Sequence, residues 1–188
     1  MSTGTTAVDV MPEHLTFRRA SNSDIDTVVA LIERAFRGEA SRAGWTTEAD
    51  LLDGRRTDAA AVGEVLGASN SRILLAEAGG HIVASVVLKD EGGAAYLGMF
   101  AVDPTLQGGG IGRRLLEEAE RVARADLGAT TARMTVIAQR PELIAWYERR
   151  GYRQTGEREP FPYGNERFGR PRRDDLYFVV MKKALSAR

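Results

Sequence analysis

The chain has 188 residues, with 26 Lys and Arg against 26 Asp and Glu, two His and no Cys. This length predicts one domain, and the lack of Cys excludes disulfides, Cys-bound zinc, iron–sulfur clusters and a thiolate nucleophile. A formal net charge of zero argues against general nucleic-acid binding, which needs a basic excess, and two His far apart in sequence disfavour a histidine metal cluster. We therefore expect neither a bound metal nor a nucleic-acid partner.

The first thirteen residues predict a flexible tail. Met1–Glu13 contain no Lys, no Arg and no apolar run, which is unlike a signal or transit peptide. The longest near-apolar stretch, Ile82–Leu88, is far shorter than the ~20 residues of a membrane helix. The expectation is a cytoplasmic protein without a membrane partner, folded as a single domain over residues 14–188.

The first half of the chain predicts a strand, two helices and a three-strand meander. Ser21 and Asp24 have the spacing of a helix capping box, and apolar residues then recur at helical spacing up to Phe36. The Gly79-Gly80 pair between two β-rich runs predicts a hairpin. The predicted elements are a strand at 15–20, a helix at 25–37, a loop at 38–56 with a short helical turn after Thr47, a helix at 58–66, and strands at 71–77, 81–88 and 95–102.

After Pro104 the pattern becomes an alternation of helices and strands. The predicted elements are a helix from 111 to about 122, a strand at 133–138, a helix at 141–150, and strands at 152–158 and 176–181. A meander predicts antiparallel pairing, whereas the later strand–helix–strand passage predicts a parallel pair. The predicted fold class is α/β, a central mixed sheet of six to seven strands flanked by about four helices.

The densest functional signal is the segment from Val102 to Arg114, VDPTLQGGGIGRR. A strand ends here, and four glycines within five residues open an amphipathic helix. Glycine backbone can approach phosphate oxygens closely, and the free N–H groups at a helix start favour an anion. The segment therefore predicts an anion-binding cradle, with Arg113 and Arg114 adding positive charge at its rim.

The spacing of the glycines decides between phosphate-binding motifs. A P-loop needs Lys-Ser/Thr where Arg113 and Arg114 stand, and a dinucleotide fingerprint starting at Gly108 needs glycine at position 113. The pattern that remains, Gln107-x-x-Gly110-x-Gly112 between a strand and a helix, resembles the GNAT superfamily of N-acetyltransferases. The resemblance extends over roughly Leu15 to Lys182 in the order of elements.

The resemblance implies acetyl-CoA as donor, with loop amides binding its pyrophosphate. It further implies that backbone at the end of the preceding strand holds the pantetheine arm and that an amide there polarises the thioester carbonyl. Gln139 stands near the position where the family often has Asn, and could hydrogen-bond the pantetheine. The other implied coenzyme-binding residues are Phe100, Ala101, Val102, Gln107, Gly108, Gly109, Gly110, Ile111, Gly112 and Arg113.

A second segment, from Ile144 to Tyr152, resembles the helix that carries a general acid in many members of the family. Tyr147 occupies that position, and a phenol with a pKa near ~10 stays protonated at neutral pH and can protonate a departing thiolate. Core packing is the alternative for Tyr147, because Leu143 lies one helical turn earlier. Trp146 and Tyr152 are interpreted as packing residues.

The acceptor site is predicted in two irregular segments, residues 37–57 and 159–175. Trp45 and Glu48 suggest an aromatic wall beside an acid that could receive a cationic amine. The second segment has balanced charges, which predict a salt-bridged lid with Phe161–Tyr163 as its apolar underside. No general base is evident among the candidate carboxylates Glu33, Glu39, Glu48 and Glu91.

The sequence thus predicts an acetyl-CoA-dependent N-acetyltransferase, acting as a monomer or homodimer without a metal. Because the chain has no Cys to carry an acyl group, transfer to a primary amine of a small molecule or peptide would be direct. The alternatives are a non-catalytic CoA- or acyl-CoA-binding regulatory protein of the same fold, and a nucleotide-binding module. The sequence does not select the acceptor.

Overall fold

A seven-stranded mixed sheet forms the centre of the computed structural model, which describes residues 14–44 and 47–185. The helices are α1 (Ile25–Phe36), α2 (Gly38–Ser41), α3 (Ala59–Gly67), α4 (Ile111–Leu127) and α5 (Pro141–Glu148). The strands are β1 (Leu15–Arg19), β2 (Leu52–Asp53), β3 (Ser71–Ala78), β4 (His81–Asp90), β5 (Ala94–Val102), β6 (Thr131–Ile137), β7 (Arg153–Pro160), β8 (Arg170–Pro171) and β9 (Tyr177–Ala184).

The order of the large sheet is β1-β3-β4-β5-β6-β9-β7, and its neighbours are antiparallel except for the parallel pair β5 and β6. This confirms the predicted α/β fold with its antiparallel meander and one parallel pair. The predicted capping box before α1 is also confirmed, because the backbone N–H of Ser21 donates to Asp24 Oδ2 at 2.8 Å.

Helices cover both faces of the sheet, so the core has two layers. On one face, α4 and α5 bury Leu115, Leu116 and Ile144 against the strands. On the other face, α1 buries Leu31 and Ile32 with residues of α3, β3 and β5. Within residues 14–44 and 47–185, no helix is long and apolar enough to cross a membrane.

The two irregular segments pair with each other, which the sequence did not predict. Leu52 lies opposite Pro171 and Asp53 opposite Arg170, forming the small sheet β2–β8. The expected short helical turn after Thr47 is present, because the Glu48 carbonyl accepts the backbone N–H groups of Leu51 and Leu52, both at 2.9 Å. The short helix α2 at Gly38–Ser41 was not predicted. Thr47 supports α2, because its hydroxyl lies 2.6 Å from the Ser41 hydroxyl, which itself donates to the Gly38 carbonyl.

The predicted lid is linked to the body of the protein by charge and by aromatic packing. Arg172 pairs with Asp53 at 3.2 Å, and Arg167 pairs with Glu64 on α3. The predicted apolar underside is present at Phe161, which is buried and stacks on Phe178 with ring centroids 5.6 Å apart. The lid therefore closes over the end of the sheet formed by β6 and β9.

The parallel pair β5–β6 is short, and the opening that it leaves between the two strands positions the site. Pairing between β5 and β6 covers only Ala94–Tyr96 against Thr131–Arg133. Beyond Tyr96 the two strands separate, so within residues 14–44 and 47–185 one edge of β5 up to Val102 has no strand beside it. Tyr96 occupies the base of the opening, where its hydroxyl lies 3.0 Å from the hydroxyl of Thr135.

Candidate active site

The glycine-rich segment forms a cradle at the start of α4. Gly108 has φ +95° and Gly110 has φ +81°, and a Cβ added to either would extend into open space. The first helical N–H to bond back is that of Arg114, to the carbonyl of Gly110 at 3.1 Å. The N–H groups of the first helical turn have no acceptor within a helix, so this end of α4 can bind an anion.

Gln107 supports the cradle through its side chain. Its Nε2 donates to the carbonyl of Val102 at 3.1 Å and so links the loop to the end of β5. A Cβ on Gly44 would lie 2.6 Å from Gln107 Oε1, so the absence of a side chain at Gly44 makes room for this contact. The Val102 carbonyl is therefore already an acceptor within the protein.

One wall of the cradle comes from α5 and the turn after it, which the sequence analysis missed. The cradle has a volume of about 360 Å³. The guanidinium of Arg150 lies 3.5 Å from the ring centre of Trp146 and donates to its carbonyl at 2.8 Å. Trp146 thus lines the cradle in addition to packing. The lining residues are Val102, Gln107, Gly108, Gly110, Gly112, Arg113, Glu142, Trp146, Arg149 and Arg150.

Three residues expected at the cradle contribute differently from the prediction. Arg114 donates to the carbonyl of Leu15 at 3.4 Å, so it contacts β1 and does not line the rim. Gln139 donates to the carbonyl of Asp175 at 2.6 Å, which directs its side chain to the lid rather than to the cradle. Ile111 is buried in the core, so only its backbone is available to the cradle.

A second cavity occupies the opening between β5 and β6, with a volume of about 350 Å³. Its walls are mainly apolar, and Phe100 stands where it meets the cradle. The ring of Phe100 lies 6.1 Å from Trp146, which lines the cradle, and 6.4 Å from Tyr147, which lines the cavity. Ala101, by contrast, is buried on the α1 face of the sheet.

A β-bulge in β5 shapes this cavity. Ser85 pairs with Ala101 and Val87 with Gly98, so Met99 and Phe100 both lie opposite the single residue Val86. Met99 has φ +45°, the only positive φ outside glycine in the described residues. Such a conformation persists only where the surroundings impose it, and it commonly marks a functional site.

Tyr147 lies on the wall of the cavity, with its ring centre 6.4 Å from that of Phe100. It is buried, and its ring packs edge-on against Trp146 and Tyr152. Burial raises the pKa of its phenol, and the positive charges of Arg140 and Arg150 oppose that rise. Tyr147 therefore carries its proton at neutral pH. Tyr152, fully buried with its hydroxyl donating to Glu120 at 3.0 Å, is a packing residue as predicted.

Glu48 is buried at the end of the cavity and held by three arginines. Its carboxylate lies 2.6 Å from Arg37, 3.6 Å from Arg140 and 3.7 Å from Arg56. Burial favours the neutral carboxyl, but the three guanidiniums outweigh it and lower the pKa of Glu48. The expectation that Glu48 receives a cationic amine is wrong, because arginines already surround the carboxylate. Trp45 lies outside the described residues.

The other candidate bases have structural partners. Glu33 accepts the backbone N–H groups of Arg56 and Thr57 at 2.6 and 2.8 Å. Glu39 is exposed beside Arg42, and Glu91 lies 3.7 Å from Arg133. Within the described part of the chain, no group of three or more His, Asp or Glu residues is placed to bind a metal.

Comparisons with known proteins show the family of the chain. A family model described as the acetyltransferase (GNAT) family matches residues 28–152. An IAA acetyltransferase from Azospirillum brasilense is 35% identical over 104 residues, 54% of this chain and 65% of that protein. This chain thus aligns with less than two thirds of that relative's length.

Solved structures of two N-acetyltransferases resemble the fold. The ribosomal-protein-S18-alanine N-acetyltransferase from Escherichia coli superposes with a TM-score of 0.68 at 18% identity, covering 93% of this chain and 96% of that chain. A spermidine N-acetyltransferase chimera from Vibrio cholerae and hSSAT gives a TM-score of 0.65 at 16% identity, covering 91% and 95%. At these identities the likeness concerns the fold alone.

Replacing Glu48 should reveal its role in holding the arginines. Glu48→Gln leaves three guanidiniums around a neutral amide, so the free energy of unfolding at pH 7 should fall by about 3 kcal/mol. Since the folded protein lowers the pKa of Glu48, its stabilisation is complete above the ordinary value and is lost as pH falls through the lowered one. Urea unfolding of wild type and variant should therefore converge on acidification below about pH 4.3.

The matched control for this experiment is Glu39→Gln, which removes an exposed carboxylate from the same segment. Its stability should stay close to that of the wild type at every pH. Equal stability of Glu48→Gln and wild type at pH 7, or a gap that widens in acid, would contradict the interpretation.

Proposed function

Because the chain belongs to the acetyltransferase (GNAT) family, we propose that it transfers an acetyl group from acetyl-CoA directly to a primary amine of a small molecule or peptide. The observation that carries the proposal is the closeness of the two cavities, because Phe100 on the cavity wall lies 6.1 Å from Trp146 of the cradle and 6.4 Å from Tyr147. An anion site thus adjoins a partly apolar cavity with a protonated phenol on its wall.

The cradle suits the diphosphate of the coenzyme on two grounds. Gly108 and Gly110 carry no side chain, and the space around them is open, so the backbone amides of the loop are accessible. The N–H groups of Ile111, Gly112 and Arg113 belong to the first turn of α4, whose dipole favours negative charge. Gln107 fixes the loop against β5 and so holds these amides in place.

The unpaired edge of β5 suits the extended pantetheine arm. Past Tyr96 this edge has no neighbouring strand, and the bulge at Met99 interrupts the ladder with β4. An extended chain can bind such an edge through backbone hydrogen bonds, as peptides do in strand addition. An N–H of this edge, near Phe100, would polarise the acyl carbonyl.

When bound, acetyl-CoA supplies the activated acetyl thioester. Tyr147 holds a proton at Oη because burial raises its pKa, and the charges of Arg140 and Arg150 favour the phenolate once that proton has moved to the departing sulfur. The apolar walls and the lid exclude water from the transfer. The chain has no Cys, which agrees with a direct transfer.

The basic test is thiol release from acetyl-CoA across a panel of polyamines, aminoglycosides, amino acids, arylamines and peptide N-termini. Release with at least one class supports the proposal. Coenzyme binding without release for any class would favour the non-catalytic CoA-binding protein instead. Tighter binding of ATP or NAD than of CoA would favour the nucleotide-binding module.

Gly110→Asp should abolish coenzyme binding, because it places a carboxylate where the diphosphate is proposed to bind. The control is Gly80→Asp, since Gly80 in the β3–β4 turn has φ +79° against +81° for Gly110 and an equally open Cβ position. Calorimetric titration with acetyl-CoA measures the result. Binding by Gly110→Asp with wild-type affinity would refute the assignment of the cradle.

Tyr147→Phe should lower kcat by about 100-fold or more while leaving the affinity for acetyl-CoA unchanged, because only the proton donor is lost. The control is Tyr152→Phe, which removes a neighbouring buried hydroxyl outside both cavities. In the wild type, the rate should show no loss between pH 7 and pH 10 from ionisation of Tyr147. An unchanged kcat in Tyr147→Phe, with chemistry rate-limiting, would exclude the acid role.

A further inference from the structure

Positive charge is in excess at the end of the cavity where Glu48 lies. Three guanidiniums, from Arg37, Arg56 and Arg140, share the single carboxylate of Glu48. Only the contact with Arg37, at 2.6 Å, has hydrogen-bond length. Arg56 and Arg140 lie at 3.7 and 3.6 Å, so the carboxylate attracts their charge without a close bond at these distances.

The other acids nearby offset this excess only in part. Glu159 is the second carboxylate on the cavity wall, and it pairs with Arg133 at the β6 side. Glu142 interacts electrostatically with Arg140, and Glu33, which does not line the cavity, accepts the backbone N–H groups of Arg56 and Thr57. The cavity therefore has one end with a surplus of guanidinium charge.

Arg56 is the arginine best placed to meet a ligand. Its side chain is 22% exposed and lines the cavity, whereas those of Arg37 and Arg140 are nearly fully buried. The contacts of its guanidinium in the described residues are Glu48 at 3.7 Å and the face of the Phe36 ring at 5.4 Å. The cation–π contact with Phe36 restricts the guanidinium, and its planar fork is suited to a bidentate carboxylate.

Most of the other residues that line the cavity are apolar. Its walls include Phe36, Leu97, Met99, Phe100, Met134 and Leu143. A ligand that satisfies both ends would carry one anionic group for Arg56 and an apolar side chain for these walls. Tyr147 lines the same cavity, and its charge interaction with Arg140 places the arginine cluster beside the proposed site of transfer.

We propose that the acceptor is an α-amino acid with an apolar side chain, and that Arg56 binds its carboxylate while Arg140 adds positive charge beside it. This inference rests on the proposed acetyl transfer and names its substrate class. Arg56 is thereby a specificity-determining residue. A carboxylate bound there is attracted by the net charge of the cluster, whereas a polyamine is repelled by it.

The test compares acceptors that differ only in the carboxylate: L-phenylalanine with 2-phenylethylamine and L-phenylalaninamide, and L-leucine with 3-methylbutylamine. In the wild type, kcat/KM from thiol release should be about 10- to 100-fold higher for each amino acid than for its twin, the range expected for a charged hydrogen-bonded contact. Arg56→Gln should remove this preference, mainly by raising KM for the amino acids. Arg56→Lys, which keeps the charge without the fork, should restore part of it.

The matched control is Arg55→Gln, an exposed neighbour that does not line this cavity. It should keep the wild-type preference. Circular dichroism and titration with acetyl-CoA verify that each Arg56 variant is folded, and Arg56→Lys carries the comparison where Arg56→Gln does not fold. The carboxylate site would be overturned if the wild type showed an equal or higher kcat/KM for the amines and the amide that lack the carboxylate. An unchanged preference in Arg56→Gln would overturn it as well.

A binding measurement separates this failure from failure of the proposed function. Thermal shift of the CoA-bound protein should be larger with L-phenylalanine than with 2-phenylethylamine, and the difference should vanish in Arg56→Gln. Such binding without thiol release would refute acetyl transfer and leave the carboxylate site. Release from the twins alone would refute the carboxylate site and leave acetyl transfer.

Discussion

The separation of β5 from β6 is the constraint on which the rest of the site depends. The parallel strands β5 and β6 diverge after three paired positions that end at Tyr96. Beyond this point they form no backbone hydrogen bonds with each other in the described residues, although they lie in the middle of the sheet. The opening is sustained because helices cover both faces of the sheet and the lid packs Phe161 over its end. The free edge of β5, the cavity and the approach from the cradle all follow from this one interruption.

The site depends on where charges are placed in the fold, and not on the net charge of the chain. The chain is neutral overall, yet the cradle relies on backbone amides of α4 while the far end of the cavity gathers three arginines around Glu48. Burial strengthens the arginine cluster, since charges interact more strongly away from water, whereas the cradle glycines Gly108 and Gly109 are exposed. The two ends are thus suited to two different anionic groups, with Tyr147 between them.

The fold and the donor side of the site could be predicted because their signals are local. The Gly79-Gly80 turn between β3 and β4, the capping box at Ser21 and the glycines from Gly108 to Gly112 each depend on residues close together in the chain. By contrast, the wall that Arg150 and Trp146 give to the cradle could be found only from the packing of α5 against α4, although the stretch of basic and aromatic residues was visible in the sequence.

The sequence by itself determined the order of the elements, the mixed sheet, and the segment that opens α4, because backbone conformation and hydrophobic period are encoded by neighbouring residues. The tertiary structure alone decided the environment of Glu48 and the pairing of β2 with β8. Arg37, Arg56 and Arg140 stand far apart in the chain, and only the folded sheet brings them to one carboxylate. The sequence shows which residues are charged. The partners of each charged side chain, however, depend on tertiary contacts that no local sequence pattern specifies.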